Sequence, residues 1–281
     1  MAVIQTFAFA DGLSIADFKA WAQAVSNAFS TFGWVQSSDT GQVNWSTIST
    51  VPSTCYEIWQ MGDALQATNP VFVKVTYGTS SGSSAVLTVS VGSASNGSGT
   101  LGNATPTINC GPSTVAVSQA WECDFAGSTN RIHVCLFRGS TTAAFFSVER
   151  SHDANGNDTS GYVTILAGGD TLASGVQQTV MPSSLGGPLF QEQNGLTMQT
   201  TNTSGTFASS TAVVPFYPMV GKIDNPLLGA LCIKRSDFAD GSVFSSTMYG
   251  ASHSYLVIKT LASAWGRNGS SGNNAIAMRF E

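Results

Sequence analysis

Gly78-Thr79-Ser80-Ser81-Gly82 carries the G-x-S-x-G spacing with which a serine hydrolase presents its nucleophile. That chemistry requires a sharp strand-to-helix turn to expose the hydroxyl, whereas the residues that follow, Val86 to Val91, alternate as a second strand. With 29 glycines in the chain such a spacing arises readily, and Ser80 is read as loop filler. Asp153-Ala154-Asn155-Gly156-Asn157-Asp158 opens like a calcium loop, because alternating oxygen side chains can converge on one hard cation. The helix-loop-helix version of that site fails: Asp158 stands where glycine is needed, and Thr164 where a bidentate glutamate is needed. A cation site of another kind and an ordinary Asx/Gly turn both stay open. His133, Cys135, Cys123 and Cys110 are zinc-ligand types, but no C-x-x-C pair places two thiolates on one knuckle, so they are expected in the core. His152 and His253 have no Ser or Cys motif beside them, and the 16 carboxylates are too scattered to name a glycosidase pair. No catalytic residue, cofactor or metal ligand is assigned, and the chain is expected not to be an enzyme.

Aromatic side chains offer the other kind of site, a contact surface. Phe18, Trp21 and Phe29 fall on one stripe of a helix predicted over 14–32 and are candidate oligomer or partner contacts. Packing against the chain's own sheet is the competing and commoner role for such a stripe. Trp265, followed by a Gly/Asn-rich run to Asn274, is expected at an exposed contact surface. Trp34, Trp45, Trp59 and Trp265 are also able to stack on a host glycan, against the usual fate of aromatics in a core.

The elements that must position these residues are mostly strands. Val71, Val73, Val75 and Tyr77 alternate with Phe72, Lys74 and Thr76, and Leu87, Val89 and Val91 alternate with Val86, Thr88 and Ser90. Joined by the polar Gly78–Ser84 linker, the two runs predict an antiparallel hairpin whose valine face must be covered. The helix is marked by Ser14 as N-cap, Asp17 in its first turn, a stripe through Ile15, Phe18, Ala22, Val25 and Phe29, and Gly33 at its end. Trp34–Pro52 reads as an irregular or edge-strand connection, and Ser93–Pro106 as an exposed, mobile loop. Further strands are expected around Trp121–Phe125, Ile132–Phe137, Ala143–Arg150 and Tyr162–Ala167, the second buried between layers. Beyond Gly168-Gly169 periodicity fades, then resumes at Ala212–Val220, Leu228–Lys234, Tyr255–Thr260 and Ala275–Phe280, the last two forming a closing hairpin. Pro215, Pro218 and Pro226 confine the first part of this region to edges or turns, since proline cannot donate to a ladder.

The predicted fold class is therefore mainly β: an antiparallel β-sandwich or jelly-roll-like core with one N-terminal amphipathic helix. Three segments are expected: 1–52 with the helix, a β-sandwich-like domain over 53–168, and a second β-rich region over 169–281 that packs on the first.

Composition excludes several functions. The chain has 281 residues, 42% hydrophobic, enough for a sizeable core. Only 10% are charged, well under the roughly one quarter of ordinary soluble domains, so Ser, Thr, Gly and Asn must supply the polar surface. With 11 basic against 16 acidic residues and no Lys/Arg cluster, nucleic acid is not an expected partner. No apolar run approaches the ~20 residues that span a bilayer, and Met1–Ala10 lacks the basic start of a signal peptide. Neither a membrane nor export is expected. The five cysteines are odd in number and widely spaced, which predicts reduced thiols.

CYEIWQMGDALQATNPVFVKVTYG (Cys55–Gly78), FFSVERSHDANGNDTSGYVTIL (Phe145–Leu166), and MYGASHSYLVIKT with AIAMRFE (Met248–Thr260, Ala275–Glu281) cover about a quarter of the chain. Together they resemble virion structural proteins of tailed bacteriophages, especially of the tail and neck region. None of these stretches is a functional motif, so the resemblance transfers no site residue. It implies a virion component made in the host cytoplasm and assembled into a symmetric oligomer with copies of itself and neighbouring virion proteins. The competing expectation is a receptor-binding or glycan-binding and depolymerising tail module, with a host glycan as partner.

Overall fold

The computed structural model describes residues 3–8, 14–80, 84–111, 120–138, 141–153, 155–169, 177–181, 213–215, 227–234, 238–239, 241–257 and 274–280. Within it, α1 (Ile15–Thr31) begins and ends where local chemistry dictates. The Ser14 hydroxyl accepts from the Asp17 N–H at 3.1 Å, satisfying one of the orphan donors of the first turn. At the other end Gly33 takes φ +83°, its N–H donates to Ser30 O, and Trp34 N–H donates to Phe29 O at 2.9 Å. This is the six-to-one closure of a Schellman cap, completed by the Phe29 and Trp34 rings meeting edge-on at 5.3 Å.

In chain order the strands are β1 (Val3–Ala8), β2 (Val35–Gln36), β3 (Thr54–Gln60), β4 (Phe72–Ser80), β5 (Ser84–Gly92), β6 (Ala94–Ser95), β7 (Leu101–Gly102), β8 (Ile108–Gly111) and β9 (Ala120–Ser128). They continue with β10 (Arg131–Arg138), β11 (Thr141–His152), β12 (Asp158–Gly169), β13 (Gln177–Met181), β14 (Val213–Pro215), β15 (Ala230–Lys234), β16 (Val243–Met248), β17 (Ala251–Val257) and β18 (Asn274–Arg279). A six-stranded sheet runs β1-β9-β10-β11-β12-β13, a five-stranded sheet β2-β3-β4-β5-β8, and another β14-β15-β18-β17-β16. The pairings are antiparallel, so the chain is mainly β with a sandwich-like core and one helix near its start.

The six-stranded sheet is the middle layer. One of its faces, through Ile132, Val134, Leu136, Phe146, Val148, Val163 and Ile165, shares a hydrophobic cluster with α1 and with Trp59, Val73, Val75, Tyr77, Leu87, Val89 and Val91 of the β2–β8 sheet. Phe29 touches both sheets, stacking on Trp59 at 5.2 Å and on Phe146 at 6.3 Å. The alternate residues of the same strands, among them His133, Cys135, Ser147, Glu149 and Leu166, are buried too. Here the β14–β18 sheet approaches, with Cys135 Sγ 3.8 Å from Met278 Sδ. A middle sheet covered on both faces explains why β10 and β11 read as near-continuous apolar runs.

The segments expected at 1–52, 53–168 and 169–281 interleave in these sheets. β1 pairs with β9, placing Val3 opposite Phe125, and α1 lies in the same core as β4 and β11. β13, beyond Gly168-Gly169, pairs with β12. The Trp34–Pro52 connection supplies the edge strand β2, Pro215 sits on the edge strand β14, and β17 pairs with β18 as the closing hairpin requires.

Ser93–Pro106 is not the open loop its composition suggests. β6 and β7 pair within it, and the Asp39 carboxylate accepts from Ser95 Oγ and from Gly99 N–H at 2.9 Å. Lys74 Nζ donates to Gly99 O at 2.6 Å, and Tyr56 OH donates to Thr40 O. A side chain at Gly99, which takes φ +91°, would collide with the Tyr56 ring, so glycine is required there.

Candidate functional site

The structure separates the residues whose spacing suggested chemistry. Ser80 pairs with Ser84 at the tip of the β4–β5 hairpin, a strand-to-strand reversal without a nucleophile elbow. In the Asp153–Asp158 turn, Asp153 Oδ1 accepts from the N–H groups of Asn155 at 2.8 Å and Asn157 at 2.9 Å, the Asx-turn arrangement. Cys110 is buried on β8, Cys123 on β9, and His133 and Cys135 on β10, and among the described residues no group of three His, Cys, Asp or Glu side chains could hold a metal ion. Among the described residues no helix is long and apolar enough to cross a membrane.

Of the aromatic contact candidates, Phe18 and Phe29 are 0% exposed and Trp21 2%. Phe18 meets Trp21 and Trp45, and Trp21 meets Tyr77, so the helix stripe faces the chain's own sheets and presents no ring to a partner. Trp34 and Trp59 are likewise buried, and Trp45 is half-buried with its Nε1 donating to Glu57 Oε1 at 2.8 Å. Trp265 lies outside the described residues.

The densest collection of titratable groups lies where the six-stranded sheet meets the β14–β18 sheet. Glu149, fully buried on β11, receives the N–H of Leu228 at 2.6 Å on Oε1 and the N–H of Gly229 at 2.8 Å on Oε2. His152 Nε2 lies 2.7 Å from the same Oε1, and its Nδ1 is 3.3 Å from Asp158 Oδ1. Burial alone would raise Glu149, but the His152 hydrogen bond and charge, with His133 and Arg131 behind them, outweigh it and hold the carboxyl below its ordinary range. Burial likewise pulls His152 down, and its hydrogen bonds to Asp158 and Glu149 prevail, lifting it to about 9. At neutral pH the pair is therefore an ion pair sealed between sheets. Gly229 permits the approach: a Cβ there would overlap the His133 ring and fall 2.6 Å from Glu149 Oε2.

Next to this pair, His133 Nδ1 lies 2.7 Å from Ser147 Oγ, a hydroxyl–imidazole contact of the kind that activates nucleophiles. Its environment opposes that use. Ser147 is 1% and His133 0% exposed, and burial drives the imidazole down to about 3, too weak a base to take a hydroxyl proton near neutrality. Packed under Gly229, Ser147 Oγ pairs with His133 Nδ1, while His133 Nε2 is buried without a hydrogen-bond partner.

Other buried charges follow the same rule. Glu57 accepts from Ser26 Oγ at 2.9 Å, Trp45 Nε1 at 2.8 Å and Tyr77 OH at 3.1 Å, tying α1 and the 37–52 connection to β3 and β4. Desolvation raises it nonetheless. Arg150 forks onto Asp63, Nη2 to Oδ1 at 3.0 Å, and donates to Asn69 O, tying β11 to the turn before β4.

No protein-family model matches this chain, and no curated protein matches it in sequence. The Glu149 seam was hidden from sequence reasoning because its partners are distant in the chain. One signal did exist. In a chain with 10% charged residues, Glu149, Arg150 and His152 sit together at the end of a strand flanked by Phe145, Phe146 and Val148, and charges so placed demand buried partners.

Proposed function

We propose that this chain is a non-enzymatic structural component of a tailed-phage virion, in the tail, neck/collar or baseplate, that works by assembling into a symmetric oligomer. The observation that carries the reading is the Glu149 seam. The acid, imidazole and hydroxyl most suited to chemistry are closed off from solvent, and the acid is joined to backbone N–H groups that hold one sheet on another. Such an arrangement favours a rigid building block over a catalyst, and the resemblance of the Cys55–Gly78, Phe145–Leu166 and Met248–Thr260 stretches to tail and neck proteins supplies the particle.

With the helix stripe engaged internally, the contacts fall to the sheet edges. Among the described residues the exposed large apolar side chains are Val35 (58%) and Val243 (56%), on β2 and β16, each the edge of its five-stranded sheet. Edge strands offer unpaired N–H and C=O groups to a neighbouring copy, and repetition around a symmetry axis makes modest contacts collectively strong. Low charge reduces the desolvation cost of such contacts. The test is mass measurement by light scattering over a range of concentrations, together with mass spectrometry of purified virions. Oligomers that weaken in Val243→Lys without loss of folded stability, and presence of the chain in the particle, are expected. A protein that stays monomeric at high concentration, is absent from virions, or degrades host polysaccharide would overturn the proposal.

A further inference from the structure

Four Asn-Gly pairs occur in the chain, and two of them, Asn96-Gly97 and Asn155-Gly156, lie among the described residues. The pair has its own chemistry, because glycine lacks a β-carbon and its backbone nitrogen can approach the side-chain carbonyl carbon of the preceding asparagine without a clash. Both asparagines are exposed, yet the fold holds them differently.

Asn96 is fixed through its side chain. Its Oδ1 accepts from Ser98 N–H at 2.9 Å, Ser98 Oγ at 3.1 Å and Thr100 N–H at 3.1 Å, and its own N–H donates to Thr100 O at 3.0 Å. Gly97 is tied down as well, its carbonyl accepting from Thr40 N–H at 2.9 Å and Thr40 Oγ1 at 3.2 Å. Turning the Asn96 amide onto the Gly97 nitrogen has to disturb these bonds. Asn155 lies in the turn between β11 and β12, where its backbone N–H donates to Asp153 Oδ1 at 2.8 Å. Its side-chain amide makes no hydrogen bond among the described residues. The Gly156 nitrogen is held by one bond, its N–H donating to Asp153 O at 3.0 Å, in a surface turn of the kind that opens far more readily than a core. Gly156 takes φ +82°, so the turn itself calls for glycine after Asn155.

We propose that Asn155 is a site of spontaneous modification, at which the Gly156 nitrogen attacks Asn155 Cγ and closes a succinimide ring. The new C–N bond replaces the bond to the side-chain nitrogen, which leaves as ammonia with the Gly156 proton, and water then opens the ring to aspartate or isoaspartate. The reaction draws on no other group, and the proposal stands whatever the chain assembles into. The isoaspartate product acts on the fold, because it routes the main chain through the former side chain and adds a methylene between residues 155 and 156. Space there is already taken: a Cβ on Gly156 would lie 3.0 Å from Tyr249 Cβ and Cγ. Tyr249 and Gly250, at φ +50° and +77°, form the two-residue tip of the β16–β17 hairpin, and the Tyr249 ring stands 6.2 Å from the His152 ring. The lengthened turn therefore displaces the hairpin tip and loosens the contact between the two sheets beside His152.

The experiment is incubation of the folded full chain at neutral to mildly alkaline pH in heavy-oxygen water, followed by digestion in ordinary water and peptide mapping by mass spectrometry, so that only conversion in the folded chain carries label. Label at residue 155, with isoaspartate identified by isoaspartyl methyltransferase, should accumulate about tenfold or more faster than at residue 96, where several hydrogen bonds must first yield. In the urea-unfolded chain the two rates should converge, and Asn155→Gln should suppress the label at that position. The isoaspartate form should shift the His152 imidazole resonances further than Asn155→Asp, which adds the charge without lengthening the main chain. No label at residue 155 in the folded chain, equal folded rates at the two sites, or a rate gap that persists after unfolding would overturn the proposal. So would a His152 signal that moves no more in the isoaspartate form than in Asn155→Asp.

Discussion

Replacing Glu149 by Gln keeps the shape of the side chain, removes one charge and turns one acceptor into a donor. The two carboxylate oxygens receive Leu228 N–H, Gly229 N–H and His152 Nε2 at 2.6–2.8 Å, so either orientation of the amide sets its NH2 against a group that donates. An orphaned buried N–H costs about 1–3 kcal/mol, and breaking a buried ion pair by removing one partner costs about 3–5 kcal/mol in all. The expected loss is thus about 3–5 kcal/mol, a large share of the stability of a typical domain. Urea unfolding followed by tryptophan fluorescence reads it as a lower midpoint. The pH dependence gives a second handle. Glu149 is depressed in the folded state, so its contribution is present above its unfolded value of 4.5 and lost as pH falls through the folded value. His152 is raised, so its contribution is complete below its unfolded value of 6.5 and lost as pH rises through about 9. The gap between wild type and Glu149→Gln should therefore be widest between these two unfolded values and shrink on either side. A gap under ~1 kcal/mol, the scale of an ordinary surface substitution, or one that does not change with pH would refute the ion-pair seam.

Three further outcomes follow from the same contacts. Gly229→Ala, whose Cβ falls 2.6 Å from Glu149 Oε2, should destabilise by about 1–3 kcal/mol or more in urea unfolding; a neutral result would mean the sheets are not in this close approach. Imidazole NMR should show His133 titrating near 3 and His152 near 9, on opposite sides of the ordinary 6.5, and two histidines both titrating near 6.5 would contradict the buried assignments. Asp39→Ala, which removes the acceptor for Ser37 Oγ, Ser95 Oγ and Gly99 N–H, should release the β6–β7 hairpin and make the 93–103 segment a preferred site of limited proteolysis; unchanged cleavage would show that the hairpin does not depend on Asp39.

Elements whose signals are local were legible in the sequence. Ser14 and Gly33 bracket α1 because capping acts within one turn, and the β4–β5 and β11–β12 hairpins follow from period-two runs joined by polar turns. The Phe18, Trp21 and Phe29 stripe was visible, but its destination was not, since a stripe packs equally well on its own sheet or on a partner; the Tyr77, Trp59 and Phe146 rings that receive it come from three strands. The 93–106 stretch misled because its order comes from Asp39 and Lys74, residues outside it, rather than from any apolar period. Glu149 and Arg150 are neighbours on one strand, so the pleat sends them to opposite faces, the first to Leu228 and Gly229 and the second to Asp63. Nothing within either residue's own segment announces those partners.

That the chain's buried acid and imidazole hold sheets together, rather than perform chemistry, is tested most directly by hydrogen exchange at the Leu228 and Gly229 amides. Both N–H groups point at Glu149, so near neutral pH they should exchange only through unfolding of the core, with protection close to that of β10 and β11, and should lose that protection in Glu149→Gln. Exchange at the rate of an exposed loop in the wild-type chain would contradict the account.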